Sequence, residues 1–75
     1  MTASERAFRA LKQRGQRVCF AESLTGGLIA ATFIENAGAS SAIDESYVTY
    51  AAEAKIRILG VSPDTVRDFG VVSAQ

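Results

Sequence analysis

Val18-Cys19-Phe20-Ala21-Glu22-Ser23-Leu24-Thr25-Gly26-Gly27-Leu28-Ile29-Ala30-Ala31-Thr32-Phe33-Ile34 decides how this chain folds. The apolar run Val18-Cys19-Phe20 reads as a buried strand, and Leu28–Ile34 reads as a helix. Between them stand Glu, Ser, Thr and two Gly. Burial alone does not ask for that combination at a corner, so the strand-to-helix turn is a candidate site.

Working outward, Gln16 to Ala21 is the expected first strand. Its apolar residues are continuous rather than alternating, which suits a parallel strand covered on both faces. The helix after it begins near Ser23 or Thr25 and runs to about Asn36. It is apolar nearly all round, so burial on more than one side is expected. Upstream, Thr2-Ala3-Ser4-Glu5 fits a capping box. Ala3, Ala7, Phe8, Ala10 and Leu11 then make one helical face, opposite Arg6, Arg9, Lys12 and Gln13. Gly15 suits the C-terminal cap of a helix over 3–14.

Downstream, Ala37–Ser41 reads as a loop. Ser46-Tyr47-Val48-Thr49-Tyr50 is rich in aromatic and β-branched residues and reads as a second strand. Ala51 to Leu59 reads as a helix with Ala51, Ala54 and Ile58 inward, closed by Gly60. Ser62-Pro63 restarts a short helix, with Ser62 as N-cap and Pro63 at the first helical position, ending around Phe69-Gly70. Val71-Val72 is a third apolar segment. Ser73-Ala74-Gln75 looks like a cap with its helix unwritten, so the chain is expected to be a piece of a longer architecture. This order of elements points to an α/β fold with a mainly parallel sheet. Two strands and a stub leave sheet edges in need of a partner.

Composition narrows the function. At 75 residues the chain is at most one small domain, and such a chain hides only about 60% of its unfolded surface. Yet 48% of its residues are hydrophobic and the mean hydropathy is +0.13. Either the core is dense or apolar surface is meant for a partner. Eight basic residues balance eight acidic ones, which argues against nucleic acid as partner. The basic cluster Arg6, Arg9, Lys12, Arg14 and Arg17 reads as the solvated face of a helix. Cys19, the single cysteine, excludes an internal disulfide and reads as a small buried hydrophobe. With no histidine, there is no zinc site of the usual ligands. No apolar run approaches the roughly 20 residues of a membrane span, and no signal peptide is evident. A cytoplasmic, soluble protein with no cofactor is expected.

In open α/β sheets, ligands sit at the carboxyl ends of strands. Glu22–Gly27 and Tyr50–Lys55 both meet that condition and lie side by side if the strands are parallel neighbours. Ser23 has two readings: an N-cap for the following helix, or a nucleophile near backbone N–H groups that could hold an oxyanion. Gly26 and Gly27 permit close approach of a ligand, and a helix N-terminus favours an anion such as phosphate. Lys55 is either a solvated lysine or a general base, the role a serine nucleophile needs filled in a chain without histidine. Tyr50 could be core, or could donate a hydrogen bond at the mouth of the site. Glu22 could cap, pair with a cation or position a ligand.

Ala21-Glu22-Ser23-Leu24-Thr25-Gly26-Gly27, Val48-Thr49-Tyr50, Glu53-Ala54-Lys55, Leu59-Gly60-Val61 and Gly70-Val71-Val72-Ser73 together resemble the CinA family C-terminal domain. The motifs come in the family's order with similar spacing, over nearly the whole chain. The resemblance implies an α/β/α sandwich of which residues 1–75 are the N-terminal half. It implies hydrolysis of the carboxamide of nicotinamide mononucleotide to nicotinate mononucleotide and ammonia, without a metal. Ser23 would be the nucleophile and Lys55 the general base, supported by Tyr50. Glu22, Thr25, Gly26 and Gly27 would bind substrate. Leu24, Glu45-Ser46 and Ala51-Ala52 depart from the family's usual residues, and its glycine-rich second half lies beyond the chain. A homo-oligomer, or a partner supplying that half, is implied. The alternative is a truncated, non-catalytic chain that acts as a binding or assembly module or has no function of its own.

Overall fold

The computed structural model of the protein describes residues 1–72, and Ser73-Ala74-Gln75, where an unwritten helix was expected, lie outside the described residues. The elements are α1 (Ala3–Arg14), β1 (Val18–Glu22), α2 (Leu28–Phe33), a 3-10 turn (Ala39–Ser41), β2 (Ile43–Val48), α3 (Ala52–Leu59) and α4 (Pro63–Phe69). β1 and β2 pair in parallel, with Val18 opposite Ile43 and Glu22 opposite Val48. The register shifts between Val18 and Phe20, so β2 carries one extra residue there. α2 makes the crossover. Both strands therefore end on the same edge of the sheet, as a parallel α/β arrangement requires.

α1 follows its expected bounds. The Thr2 hydroxyl accepts the Glu5 N–H at 3.1 Å, and Gly15 closes the helix in the left-handed region at φ 63°. Its inward stripe is narrower than expected: Ser4, Phe8 and Leu11 are half-buried, while Ala3, Ala7 and Ala10 are exposed. Phe8 meets Phe33 of α2 edge-on at 6.0 Å, and Phe20 of β1 meets Phe33 at 5.7 Å. Phe33, Ala39 and Ala42 form the buried core, with Leu11, Val18 and Ile43 packed against it. Ala39, from the stretch expected only to form a loop, and Ala42 just after it thus supply two of the three core side chains. Their smallness lets the turn lie directly on the aromatic cluster.

Several burial expectations fail, and for the sheet the reason is that a single layer of helix covers it. Cys19 is exposed, not buried, and Ala21 beside it is exposed too. β1 is covered on one face only, because Val18, Phe20 and Glu22 turn toward the core and the alternate residues do not. α2 is six residues long and buries Phe33 alone, leaving Leu28 and Ile34 at 64% and 59% exposure. Gly26 and Gly27 hold the left-handed region at φ 62° and 100°, which delays the helix to Leu28. Ala54 is half-buried as expected, but Ala51 and Ile58 face solvent, and Ala52, Lys55 and Ile56 complete the inner side of α3.

β2 begins three residues earlier than expected and ends at Val48, so Tyr50 lies beyond the strand. Arg17 braces this early start. Its guanidinium donates to the carbonyls of Ser40, Ser41 and Ile43 and pairs with Asp44, tying the first turn of β2 to the entry of β1. Val71 and Val72 form no strand among the described residues and are exposed. No helix among the described residues is long and apolar enough to cross a membrane.

Candidate active site

The edge where β1 and β2 end carries a polar arrangement built from three segments. β1 delivers Glu22, buried to 3% exposure, followed by Ser23. β2 delivers Thr49, which is buried and donates its N–H to the Glu22 carbonyl at 2.9 Å. That bond continues the parallel ladder one step past β2 and fixes the spacing of the two corners. Ala51 then starts α3, whose first turn presents Lys55 back toward the sheet edge.

Lys55 Nζ donates to Ser23 Oγ at 3.0 Å and to the Tyr50 carbonyl at 3.0 Å. Thirty-two residues apart in sequence, Ser23 and Lys55 are thus in direct contact. Both side chains are half-buried. Tyr50 takes part through its main-chain oxygen, while its side chain is 71% exposed and so is no core residue. An open cleft of about 510 Å³ lies over the pair, lined by Ser23, Leu24, Tyr50, Lys55, Val71 and Val72. Two further concavities lie against α1 and α2 and contain neither Ser23 nor Lys55.

Glu22 faces the other way. One carboxylate oxygen accepts from the Thr25 hydroxyl at 2.7 Å, the Gly27 N–H at 3.1 Å and the Ile29 N–H at 2.9 Å. The other accepts from the Ala30 N–H at 3.0 Å. Burial acts to raise its pKa, but the hydrogen bonds from Ala30, Ile29, Thr25 and Gly27 outweigh it and hold the carboxyl below the ordinary carboxylate range. The start of α2, where an anionic ligand group was anticipated, is therefore occupied by the protein's own carboxylate. Of the three openings the sequence left for Glu22, the cap is the one the fold uses. Thr25 gives its hydroxyl to that cap while the residue itself stays exposed.

Gly26 and Gly27 serve backbone conformation. A Cβ on Gly26 would meet no atom within 4 Å, and one on Gly27 would meet Val48 Cγ2 at an ordinary 3.5 Å. Their positive φ, not crowding by a neighbour, is what asks for glycine. The turn is closed by the Gly26 N–H bonding to the Ser23 carbonyl at 3.1 Å. Ser23 does not cap α2: its N-cap position is Gly27, which has no side chain to bond. Sequence reasoning missed Thr49, whose burial is signalled only by its place one residue beyond β2. Among the described residues, no group of three or more His, Cys, Asp or Glu side chains is placed to hold a metal.

Chemically, a serine hydroxyl accepting a hydrogen bond from a lysine amine at the mouth of a cleft can do nucleophilic catalysis, with the amine as proton carrier when neutral.

Known proteins carry the same frame. The family model for the CinA C-terminal domain matches residues 1–75. A CinA-like protein of Fervidobacterium nodosum is 48% identical over 68 residues, covering 91% of this chain and 17% of that protein. The crystal structure of competence/damage inducible protein CihA from Agrobacterium tumefaciens superposes with a TM-score of 0.91 at 43% identity, over 93% of this chain and 42% of that one. The competence damage-inducible protein A (ComA) from Klebsiella pneumoniae gives 0.91 at 37% identity, over 95% and 44%. The chain spans about one sixth of the length of the curated relatives it matches, and less than half of these solved chains. By sequence over its full length and by fold, the chain belongs to the CinA C-terminal domain family.

Proposed function

We propose that this chain carries the nucleophile half of an amidohydrolase that converts nicotinamide mononucleotide to nicotinate mononucleotide and ammonia. The observation that supports it is the 3.0 Å contact between Lys55 Nζ and Ser23 Oγ at the carboxyl ends of two parallel strands. Neutral Lys55 takes the proton of Ser23 as Oγ attacks the carboxamide carbon. The tetrahedral oxyanion draws on N–H groups of the Ser23–Thr25 turn, because those of Gly27, Ile29 and Ala30 already serve Glu22. The C–N bond breaks, Lys55 returns the proton, and ammonia leaves an acyl-serine. Water, deprotonated by Lys55, attacks the ester carbon and releases the acid and the free hydroxyl. The Tyr50 carbonyl aims the amine throughout.

The substrate is a small nucleotide, and such an enzyme works in the cytoplasm. The rest of the domain, or a partner chain such as a second copy, completes the cleft around the phosphate and ribose. A second reading, a binding or assembly module without catalysis, is favoured by the exposure of Leu24 at 90%, Leu28 at 64% and Val72 at 93%.

The experiment is ammonia release from nicotinamide mononucleotide, by the purified chain and by these residues joined to the remainder of a CinA C-terminal domain. Ser23→Ala is expected to abolish release in whichever form is active. Undiminished release from that variant would falsify the role of Ser23. No release from either form favours the assembly module.

A further inference from the structure

Glu22 is a buried carboxylate that the reaction scheme does not use, and its partners all belong to the segment that carries Ser23. Four donors converge on it from one side of the turn: the Thr25 hydroxyl and the N–H groups of Gly27, Ile29 and Ala30. Its own carbonyl accepts from Thr49, so the same residue ties the turn to β2. Ser23 follows directly, suspended between these anchors, with its hydroxyl 3.0 Å from Lys55 Nζ. A carboxylate on three amide donors suits a negative charge far better than a neutral amide would, because charge-assisted hydrogen bonds are the stronger kind. Its depressed pKa fits the same picture.

We propose that Glu22 is a positioning residue that sets Ser23 against Lys55 from inside the turn and never touches substrate. The inference rests on the amidohydrolase reading for its kinetic consequence, and it separates Glu22 from Ser23 and Lys55 in kind. By filling the start of α2 itself, Glu22 also keeps the substrate's phosphate away from that helix, so the anion must be held elsewhere in the cleft.

The geometry gives a test with two independent readouts. The first is the kcat and KM of Glu22→Gln in the active form. Gln keeps the size but points an NH2 at N–H donors, so the turn shifts. A misplacement of about 1 Å at a reacting group can reduce a rate by about a hundredfold. The expected result is kcat reduced by about tenfold or more with KM within twofold, and partial recovery in Glu22→Asp, which restores the charge. A KM raised more than tenfold with kcat intact would mean that Glu22 contacts substrate, and would overturn the proposal.

The second readout is the Lys55 Nζ resonance by NMR, with circular dichroism reporting that each variant is folded. It needs no turnover. Loss of the Ser23 contact is expected to move that resonance in Glu22→Gln and, by a smaller amount, in Thr25→Val, which removes one donor without changing charge. A resonance unmoved in both folded variants would sink the idea. A moved resonance in a protein that releases no ammonia in any form would leave Glu22 as the positioner of Ser23 and refute the amidohydrolase instead.

Discussion

The two strand-to-helix corners on the sheet edge are held by different means. After β1, a buried carboxylate gathers three backbone N–H groups and a hydroxyl, and two left-handed glycines shape the turn before α2 begins. After β2, Thr49 is buried, but the chain then leaves the core. Tyr50 is exposed, Ala51 starts α3 without a side-chain cap, and neither α3 nor α4 buries a residue. The corner that offers the nucleophile is fixed from within, while beyond Thr49 the corner that offers the base is held by the Lys55 contacts and by half-buried Ala52, Ala54 and Ile56. A serine nucleophile gains from a fixed position. A lysine on a long stem reaches its partner from a less constrained helix.

Removing the base is the largest break available. In Lys55→Met the stem is kept and the amine lost, so Ser23 has no proton carrier. A positioned general base contributes roughly 10²- to 10⁴-fold. Ammonia release is expected to fall by at least a hundredfold, with little change in the β1 corner because Glu22 does not bond to Lys55. A loss of only a few-fold would mean that the 3.0 Å contact is structural, and that some other group activates Ser23.

Gly27→Ala strikes the fixed corner instead. The site has φ 100°, and the added Cβ meets only an ordinary contact with Val48. The cost is therefore conformational, roughly 1–2 kcal/mol for an L side chain held in the left-handed region. In so small a chain that is a large share of the stability. Urea unfolding of the two proteins side by side measures it. An unchanged midpoint would show that the β1 corner is free to rearrange, and the contrast between the two corners would dissolve.

The corners differ in how far they were legible in the amino-acid sequence. That the corners of Ser23 and Lys55 would lie side by side followed from topology, since parallel neighbouring strands place their carboxyl ends together, while the pairing of the two side chains was implied by the family resemblance. The cap made by Glu22 was only one of three openings, and its partners could not be singled out, because they are amides five, seven and eight positions along, and every residue but proline has an amide. The parallel α/β frame, α1 and the Ser62-Pro63 start of α4 came through because caps and periodicity are local signals. Cys19 was misread because Val18-Cys19-Phe20 looks alike whether one face of a strand is covered or two. The start of β2 was hidden by Ile43-Asp44-Glu45, whose charges mask a strand that Arg17 pins from outside. Contacts remote in sequence and made to backbone leave no residue pattern to find.

The mildest change would narrow the difference. Ala51 sits at the N-cap of α3 with φ −73° and ψ 147°, the extended conformation a cap residue adopts, but has no oxygen to offer. In Ala51→Ser the hydroxyl can accept from the N–H of Glu53 or Ala54, and such a cap adds about 1 kcal/mol. The backbone need not move, so Lys55 should keep both of its bonds and Ser23 its place. The unfolding midpoint is expected to rise while the Lys55 resonance stays put. A stabilised α3 that also moved that resonance would show that the looseness of the second corner sets where the amine lies, and that the base is positioned by its helix as much as the nucleophile is by its carboxylate.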